Sequence, residues 1–396
     1  MMKKVILLIL DSLGVGAMPD AHLFGEKDSN TLGNINKAVG GLKIPNLAKL
    51  GLGRIEVSLG YSEVLVLGAY GKMAEMSQGM DTTTGHWEIA GILTKDPLPT
   101  FPEGFPEEII EAFQQEIGRP VLGNKVASGT VIIEELGPEH LKTGYPIVYT
   151  SADSVFQIAA HEEVIPLEQL YEYCRIARRL LTGKWAVGRV IARPFVGQPG
   201  SFQRTANRHD YSLEPPQTTV LDAMKEKGLE VIGIGKIHDI FAGRGLTSSQ
   251  STVDNLDGVN KTIEAWSRLK AGLIFTNLVE FDSHYGHRNN PQGYAQKIEE
   301  FDEVLPRLME LVDQDGLLII SADHGNDPTT PGTDHNREYV PLLVYGKDVK
   351  AAVDLGTRKT FADVAATLSE IFNLGYVSPG TSFWAEATGT KEGGWQ

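Results

Sequence analysis

The residues with the clearest capacity for chemistry are aspartates and histidines set at the ends of short apolar runs. Gly316-Leu317-Leu318-Ile319-Ile320 is followed directly by Ser321-Ala322-Asp323-His324-Gly325-Asn326-Asp327. A short apolar run reads as a buried strand, and open α/β sheets place their ligands beyond the carboxyl ends of such strands. Taken alone, Asp323 could equally cap a turn and His324 lie on the surface. The same grammar recurs elsewhere, however. Thr276-Asn277-Leu278-Val279-Glu280-Phe281-Asp282 closes a second apolar run and is followed by Gly286-His287, a third segment is Gly332-Thr333-Asp334-His335, and residues 5–10 end in Asp11. Together Asp11, Asp282 and Asp323 with His287, His324 and His335 would supply two divalent ions with mixed oxygen and nitrogen donors. Imidazole disfavours a pure magnesium or calcium site, and the absence of thiolate argues against structural zinc, which leaves manganese or catalytic zinc.

Two such ions can activate a nucleophile and hold the oxygens of a phosphoryl group. A hydroxyl for that role is offered by Ser77-Gln78-Gly79-Met80-Asp81-Thr82-Thr83-Thr84-Gly85-His86-Trp87-Glu88. If the threonines open a helix, backbone N–H groups there would favour an anionic nucleophile or a bound phosphate. A threonine acting only as a helix cap carries the same signature.

These side chains need a scaffold. Residues 5–10 are apolar without alternation, as expected of a central strand covered on both faces. The turn after them fails the dinucleotide-binding spacing, because Gly14 and Gly16 are followed by Pro19 where a third glycine would stand. Further strands are predicted at 229–235, ending at Lys236, and at 273–281, 316–320 and 340–345. Helix starts with capping residues are read at 28–32 and 44–47, and a helix end at Gly51-Leu52-Gly53. Helices are predicted over 218–227, 257–269 and 360–372. Ile298, Phe301, Leu305, Leu308 and Val312 alternate spacings of three and four and mark an amphipathic helix, with a kink expected at Pro306. The alternation of strands and helices predicts an α/β core built on a mostly parallel central sheet.

Pro97, Pro99, Pro102 and Pro106 mark one boundary and Pro215-Pro216 another. The expected division is a core domain over 1–97, an inserted α+β cap domain over 98–217, and the rest of the core over 218–396. Within the insert, 107–117 and 167–181 read as helices, and 146–150 and 186–192 as strands. Its loops carry Ser151, Asp153, Arg189, Arg193, Arg204 and Arg208, which are suited to a sugar or a phosphate, since arginine forks match phosphate oxygens in pairs.

Composition narrows the class. Of 396 residues, 41% are hydrophobic and 22% charged, the balance of an ordinary globular protein with ample core. A formal charge of −15, with no run of Lys and Arg, argues against a nucleic-acid partner. The single cysteine, Cys174, permits neither a disulfide framework nor a thiolate zinc site. The apolar stretch after Met1-Met2-Lys3-Lys4 is too short for a signal peptide and ends in Asp11. No segment approaches the roughly 18 apolar residues of a membrane span. A cytoplasmic location with no membrane partner is therefore expected.

Asp11 after a first strand, Asp81-Thr82-Thr83-Thr84-Gly85-His86-Trp87-Glu88, Asp282 with His287, the 321–327 segment and Thr333-Asp334-His335 together resemble the alkaline phosphatase superfamily. Within it the chain is similar to the phosphopentomutase family over essentially its whole length. The stretches specific to that family are Tyr149-Thr150-Ser151-Ala152-Asp153-Ser154, Val187-Gly188-Arg189-Val190-Ile191-Ala192-Arg193-Pro194-Phe195 and Asn207-Arg208-His209-Asp210-Tyr211. The resemblance implies an alkaline-phosphatase-like α/β core with an inserted cap and two manganese ions, other divalent ions being alternatives. One ion would be held by Asp282, His287 and His335, the other by Asp11, Asp323, His324 and the nucleophile Thr82, the hydroxyl residue four before the histidine of Gly-His. It implies interconversion of ribose 1-phosphate and ribose 5-phosphate, or the deoxyribose pair. The route would be a phosphothreonine and a 1,5-bisphosphate, primed by a sugar bisphosphate such as glucose 1,6-bisphosphate or ribose 1,5-bisphosphate. Ser151, Asp153, Arg189, Arg204, Arg208 and Lys236 would contact the pentose phosphate. Three rivals are a hydrolase with the same metals, a cofactor-independent phosphoglycerate mutase with serine in place of Thr82, and a non-catalytic metal-binding protein.

Overall fold

The structure, a computed structural model, describes residues 4–26, 28–151 and 153–390. Long-range packing divides the chain into two compact units, one running to Pro97 and resuming at Pro215, the other Leu98–Glu214.

The first unit is built on an eight-stranded sheet in the order Ser248–Gln250, Glu230–Ile234, Gly272–Leu278, Lys4–Leu10, Gly316–Ser321, Val340–Gly346, Ala69–Met73, Val353–Arg358. Every neighbouring pair is parallel except the two that involve Val340–Gly346. Lys4–Leu10 lies near the middle because Val5 to Leu10 are all buried and apolar, so both of its faces must be covered. Helices Asn255–Arg268 and Pro291–Val312 present apolar stripes to the sheet, Val259, Ala265 and Trp266 from one and Tyr294, Ile298, Phe301, Leu305 and Leu308 from the other. Leu8 is fully buried, and Leu8→Ala is expected to cost about 2–5 kcal/mol through lost burial and an unfilled cavity, checked by denaturant unfolding of the metal-free protein.

Register is what positions the site. Leu10 pairs with Leu278 and Ile9 with Ser321 across parallel strands, so all three chains leave the sheet on the same side, and Asp11 comes out level with Asp323. Thr276 pairs with Ile234, which brings Lys236 out at the same edge.

The second unit holds a six-stranded mixed sheet containing Ile147–Thr150, Val155–His161 and Arg189–Val196. Helices Glu107–Ile117 and Leu167–Leu180 cover one face, where Phe113, Leu170 and Cys174 meet Val148, Phe156, Val190 and Ala192. Helix Gly129–Thr143 covers the other, where Ile132 and Ile133 meet Ile147, Ala159 and Phe195. Cys174 is thus core, and burial pushes its thiol well above the usual range.

Several expectations need correcting. The strand expected over 273–281 ends at Leu278, and Asp282 stands on the wide helical turn Phe281–Tyr285 that follows. The strand expected at 186–192 is Arg189–Val196, because Trp185 to Val187 close a preceding turn. Gly51 lies between two short helices, Pro45–Lys49 and Leu52–Ile55, and its φ of 106° suits it to opening the second as well as stopping the first. Among the described residues no helix is long and apolar enough to cross a membrane.

Candidate metal and nucleophile site

Asp11, Asp282, Asp323 and His324 are buried at the carboxyl edge of the first unit's sheet. Donor atoms of Asp282, His287 and His335 lie within 4.8 Å of one another, and those of Asp11, Asp282 and His324 do the same. His324 Nε2 is 3.5 Å from Asp11 Oδ1, 3.4 Å from Asp323 Oδ2 and 3.3 Å from Thr82 Oγ1. Asp282 therefore belongs to both groups, where the resemblance assigned it to one.

The backbone explains how such a crowd is held. Ser12 takes a left-handed φ of 72°, a strain of roughly 1–2 kcal/mol for a residue with a Cβ, and its N–H donates to Asp323 Oδ1 at 3.1 Å. Each histidine is aimed by its other ring nitrogen. Nδ1 of His324 meets the Gly325 carbonyl at 3.1 Å, that of His335 meets Met80 O at 2.9 Å, and that of His287 meets Thr333 O. A carbonyl only accepts, so each Nδ1 donates to it and each Nε2 is left facing the cluster.

Those nitrogens crowd one carboxylate. His287 Nε2 and His335 Nε2 face each other at 3.2 Å, both against the Asp282 carboxylate at 3.2 and 3.4 Å. Asp11 Oδ1 and Asp323 Oδ2 are buried with no hydrogen-bond partner. Acceptors without donors, packed this closely, fit divalent ions, and the nitrogen and carboxylate donors suit manganese or zinc. The electrostatics agree. Burial, with Asp323 and Asp282 nearby, raises the Asp11 carboxyl to about 8. Burial opposes ionisation of Asp323 as well, but His324 and His86 outweigh it and bring that carboxyl to about 2. His335 and His287 likewise overcome burial and hold Asp282 well below the usual range.

Thr82 opens the helix Thr82–Ile89 behind the cap Asp81. Gly85 allows that helix to approach the strand end, since a Cβ there would overlap the Asp323 carbonyl. Of the three threonines, Thr82 directs its hydroxyl to His324, whereas Thr84 Oγ1 donates to Asp81 Oδ2 at 2.6 Å. Asp81 Oδ1 takes the N–H groups of Thr83 and Thr84, and the Asp81 carbonyl takes that of Gly85.

Sequence reasoning passed over several supporting residues. His86 is fully buried, with Nδ1 2.8 Å from Thr82 O and 3.2 Å from Asp323 Oδ2. Asn277 Nδ2 donates to Asp11 Oδ2 at 2.9 Å, and Asn326 Nδ2 to Asp282 Oδ1 at 2.8 Å. All three fall inside the motifs quoted above, so adjacency was the available signal.

The other named side chains of the second unit have local partners or lie in loops. Arg208 and Arg189 share the Asp210 carboxylate, at 2.6 and 3.5 Å, while Arg204 reaches Thr130 Oγ1 at 3.0 Å. Ser151 and Asp153 lie in the loop after Ile147–Thr150. Lys236 belongs to the first unit and lowers the Asp11 carboxyl in opposition to the larger effects of burial and the two neighbouring aspartates.

An α/β core with this donor set at its strand ends is that of a metalloenzyme, and a model of the Metalloenzyme superfamily matches residues 3–376. The phosphopentomutase of Carboxydothermus hydrogenoformans is 64% identical over 386 residues, covering 97% of this chain and 99% of that protein. That of Caldanaerobacter subterraneus subsp. tengcongensis is 62% identical over 387 residues, 98% of each chain, and that of Dictyoglomus turgidum is 57% identical over the full length of both. The chain belongs to the phosphopentomutase family, and it is an isomerase of the intramolecular phosphotransferase type.

Proposed function

We propose that the protein interconverts ribose 1-phosphate and ribose 5-phosphate, and the deoxyribose pair, through a phosphothreonine at Thr82. The observation that carries this reading is the Thr82 hydroxyl 3.3 Å from His324 Nε2, in a pocket of buried carboxylates that fits divalent cations. Asp282, His287 and His335 would hold one manganese ion, and Asp11, Asp323 and His324 the other. Bound there, such ions would neutralise phosphoryl oxygens and favour the ionised threonine.

The phosphorylated protein donates the phosphoryl group from Thr82 Oγ to the free hydroxyl of the pentose phosphate, giving the 1,5-bisphosphate. The Thr82 oxygen then accepts the other phosphoryl group, which leaves the isomer. A sugar bisphosphate such as ribose 1,5-bisphosphate or glucose 1,6-bisphosphate would first load Thr82. The protein's part is positioning and electrostatic stabilisation of transferred charge. The substrate roles of Ser151, Asp153, Arg189, Arg204, Arg208 and Lys236 belong to this proposal.

The experiment is to incubate the manganese-loaded protein with ribose 1,5-bisphosphate and map the phosphorylated residue by mass spectrometry. Phosphate on Thr82 supports the reading; phosphate on Thr83, on Thr84 or on no threonine contradicts it.

Manganese binding should also depend on pH in a defined direction. Asp11 holds its proton up to about 8, and an ion must displace it. Affinity is expected to rise with pH, by about tenfold per unit while Asp11 stays protonated, and to level off above. Calorimetric titrations from acid to mildly alkaline pH check this, and a flat profile would remove Asp11 from the ligand set.

A further inference from the structure

Three residues ahead of the apolar strand Val340–Gly346, Arg337 is 1% exposed, a rare setting for a guanidinium. Most of its hydrogen-bond partners lie on the segment that leads to Thr82. Nη1 donates to the carbonyls of Ser77 at 2.7 Å and Gly79 at 2.9 Å, and to Glu75 Oε2 at 2.7 Å. Nη2 donates to Glu75 O at 2.9 Å and to Asp20 Oδ2 at 3.1 Å, and Nε faces the same Asp20 carboxylate at 3.3 Å. The ring of Phe24 lies 4.9 Å from the guanidinium carbon. Two residues earlier in the chain, His335 fixes the next carbonyl, Met80 O.

The opposite side of this segment is fixed too. Glu88, fully buried on the helix that Thr82 opens, accepts the N–H groups of Met76 at 2.9 Å and Ser77 at 2.6 Å. The turn before Thr82 is thus held by its carbonyls from Arg337 and His335 and by its amides from Glu88. Three carbonyls and two carboxylates gathered around one buried residue need a planar set of donors pointing several ways. Only a guanidinium supplies that, since a lysine ammonium is a point charge with three donors on a flexible stem.

We propose that Arg337 is a positioning residue for Thr82. Its fork sets the turn 75–80, and that turn sets where the Thr82 hydroxyl stands relative to His324. The proposal rests on the reading of Thr82 as the phosphoryl acceptor. It does not involve Arg337 touching substrate.

Arg337→Lys keeps a positive charge beside Glu75 and Asp20 but gives up the fork. In the manganese-loaded full chain, single-turnover transfer from ribose 1,5-bisphosphate to Thr82, read as phosphothreonine, is expected to slow roughly 10- to 100-fold, the usual penalty for a displaced reactive group. Manganese stoichiometry by calorimetry and KM for ribose 1-phosphate are expected to match the wild type. Glu75→Gln removes the paired charge and leaves the carbonyl bonds, so its transfer rate is expected to stay at the wild-type value even if its melting temperature falls. Equal transfer rates in Arg337→Lys and wild type would overturn the proposal. So would a loss in Glu75→Gln matching that in Arg337→Lys, because the ion pair and not the fork would then govern the rate. If Arg337→Lys fails to fold, the Arg337→Gln, Glu75→Gln double variant, which removes both buried charges together, is read against Glu75→Gln by the same rule. A wild type that never acquires phosphothreonine would instead sink the reading of Thr82, and this proposal with it.

Discussion

Thr82→Ala is expected to abolish interconversion, with kcat falling on the order of 10⁴-fold or more, the scale of loss when a covalent nucleophile is removed. The fold should survive, because the helix is capped by Asp81 and not by Thr82. Manganese should still bind, because Asp11, Asp323, His324 and the Asp282 group are untouched. Thr82→Ser should retain measurable turnover, since the hydroxyl remains and only a methyl group is lost. Thr84→Ala is the control that separates chemistry from local support: its hydroxyl donates to Asp81, so its loss should cost about 1–3 kcal/mol of stability and leave phosphothreonine formation in place. Kinetics, thermal unfolding and mass spectrometry on the three variants check these outcomes together. Full activity in Thr82→Ala would displace the nucleophile from this position.

Asp282→Asn is expected to have the next largest effect. Donor atoms of Asp282 lie near both groups, so its loss is expected to disturb both, where a change at His287 would disturb one. An amide keeps the shape but loses the charge that offsets two cations. Activity should fall by more than about 100-fold, beyond what loss of a supporting hydrogen bond would cause. The cleaner readout is stability. An ion present at 100 times its dissociation constant adds about 2.7 kcal/mol per independent site to the folded state. The wild type should therefore melt at a markedly higher temperature with manganese than with chelator, and in Asp282→Asn most of that difference should vanish. An unchanged stoichiometry and an unchanged shift would remove Asp282 from the ligand set.

The parts of the molecule readable from sequence are those in which local pattern and tertiary role coincide. Residues 5–10 and 316–320 are continuous apolar runs because they are strands buried on both faces, and Asp11 and Asp323 stand next to their ends. Asp282 was harder to place. Its strand stops at Leu278, and the intervening Val279-Glu280 continues the apolar character only in part before a wide turn begins. Helix Gly129–Thr143 was not among the expected elements, and it contains Gly129, Gly137 and Pro138, residue types that disfavour a helix interior. Gly137 is in fact the place where Phe202 packs too closely for any Cβ. Arg337 gave no local signal at all. Arginine is normally a surface residue, and only the convergence of Asp20, Glu75 and the 75–80 turn, remote in sequence, makes its burial favourable.

The central claim is that phosphoryl transfer goes to sugar and back to Thr82, and not to water. The most direct test converts ribose 1-phosphate with manganese and a catalytic amount of ribose 1,5-bisphosphate, following ribose 5-phosphate and free phosphate in the same tube. The account predicts isomer formation with no accompanying phosphate release, dependent on the bisphosphate and lost in Thr82→Ala. Phosphate released in step with substrate loss, with no isomer formed, would contradict it and make the protein a hydrolase built on the same metal donors.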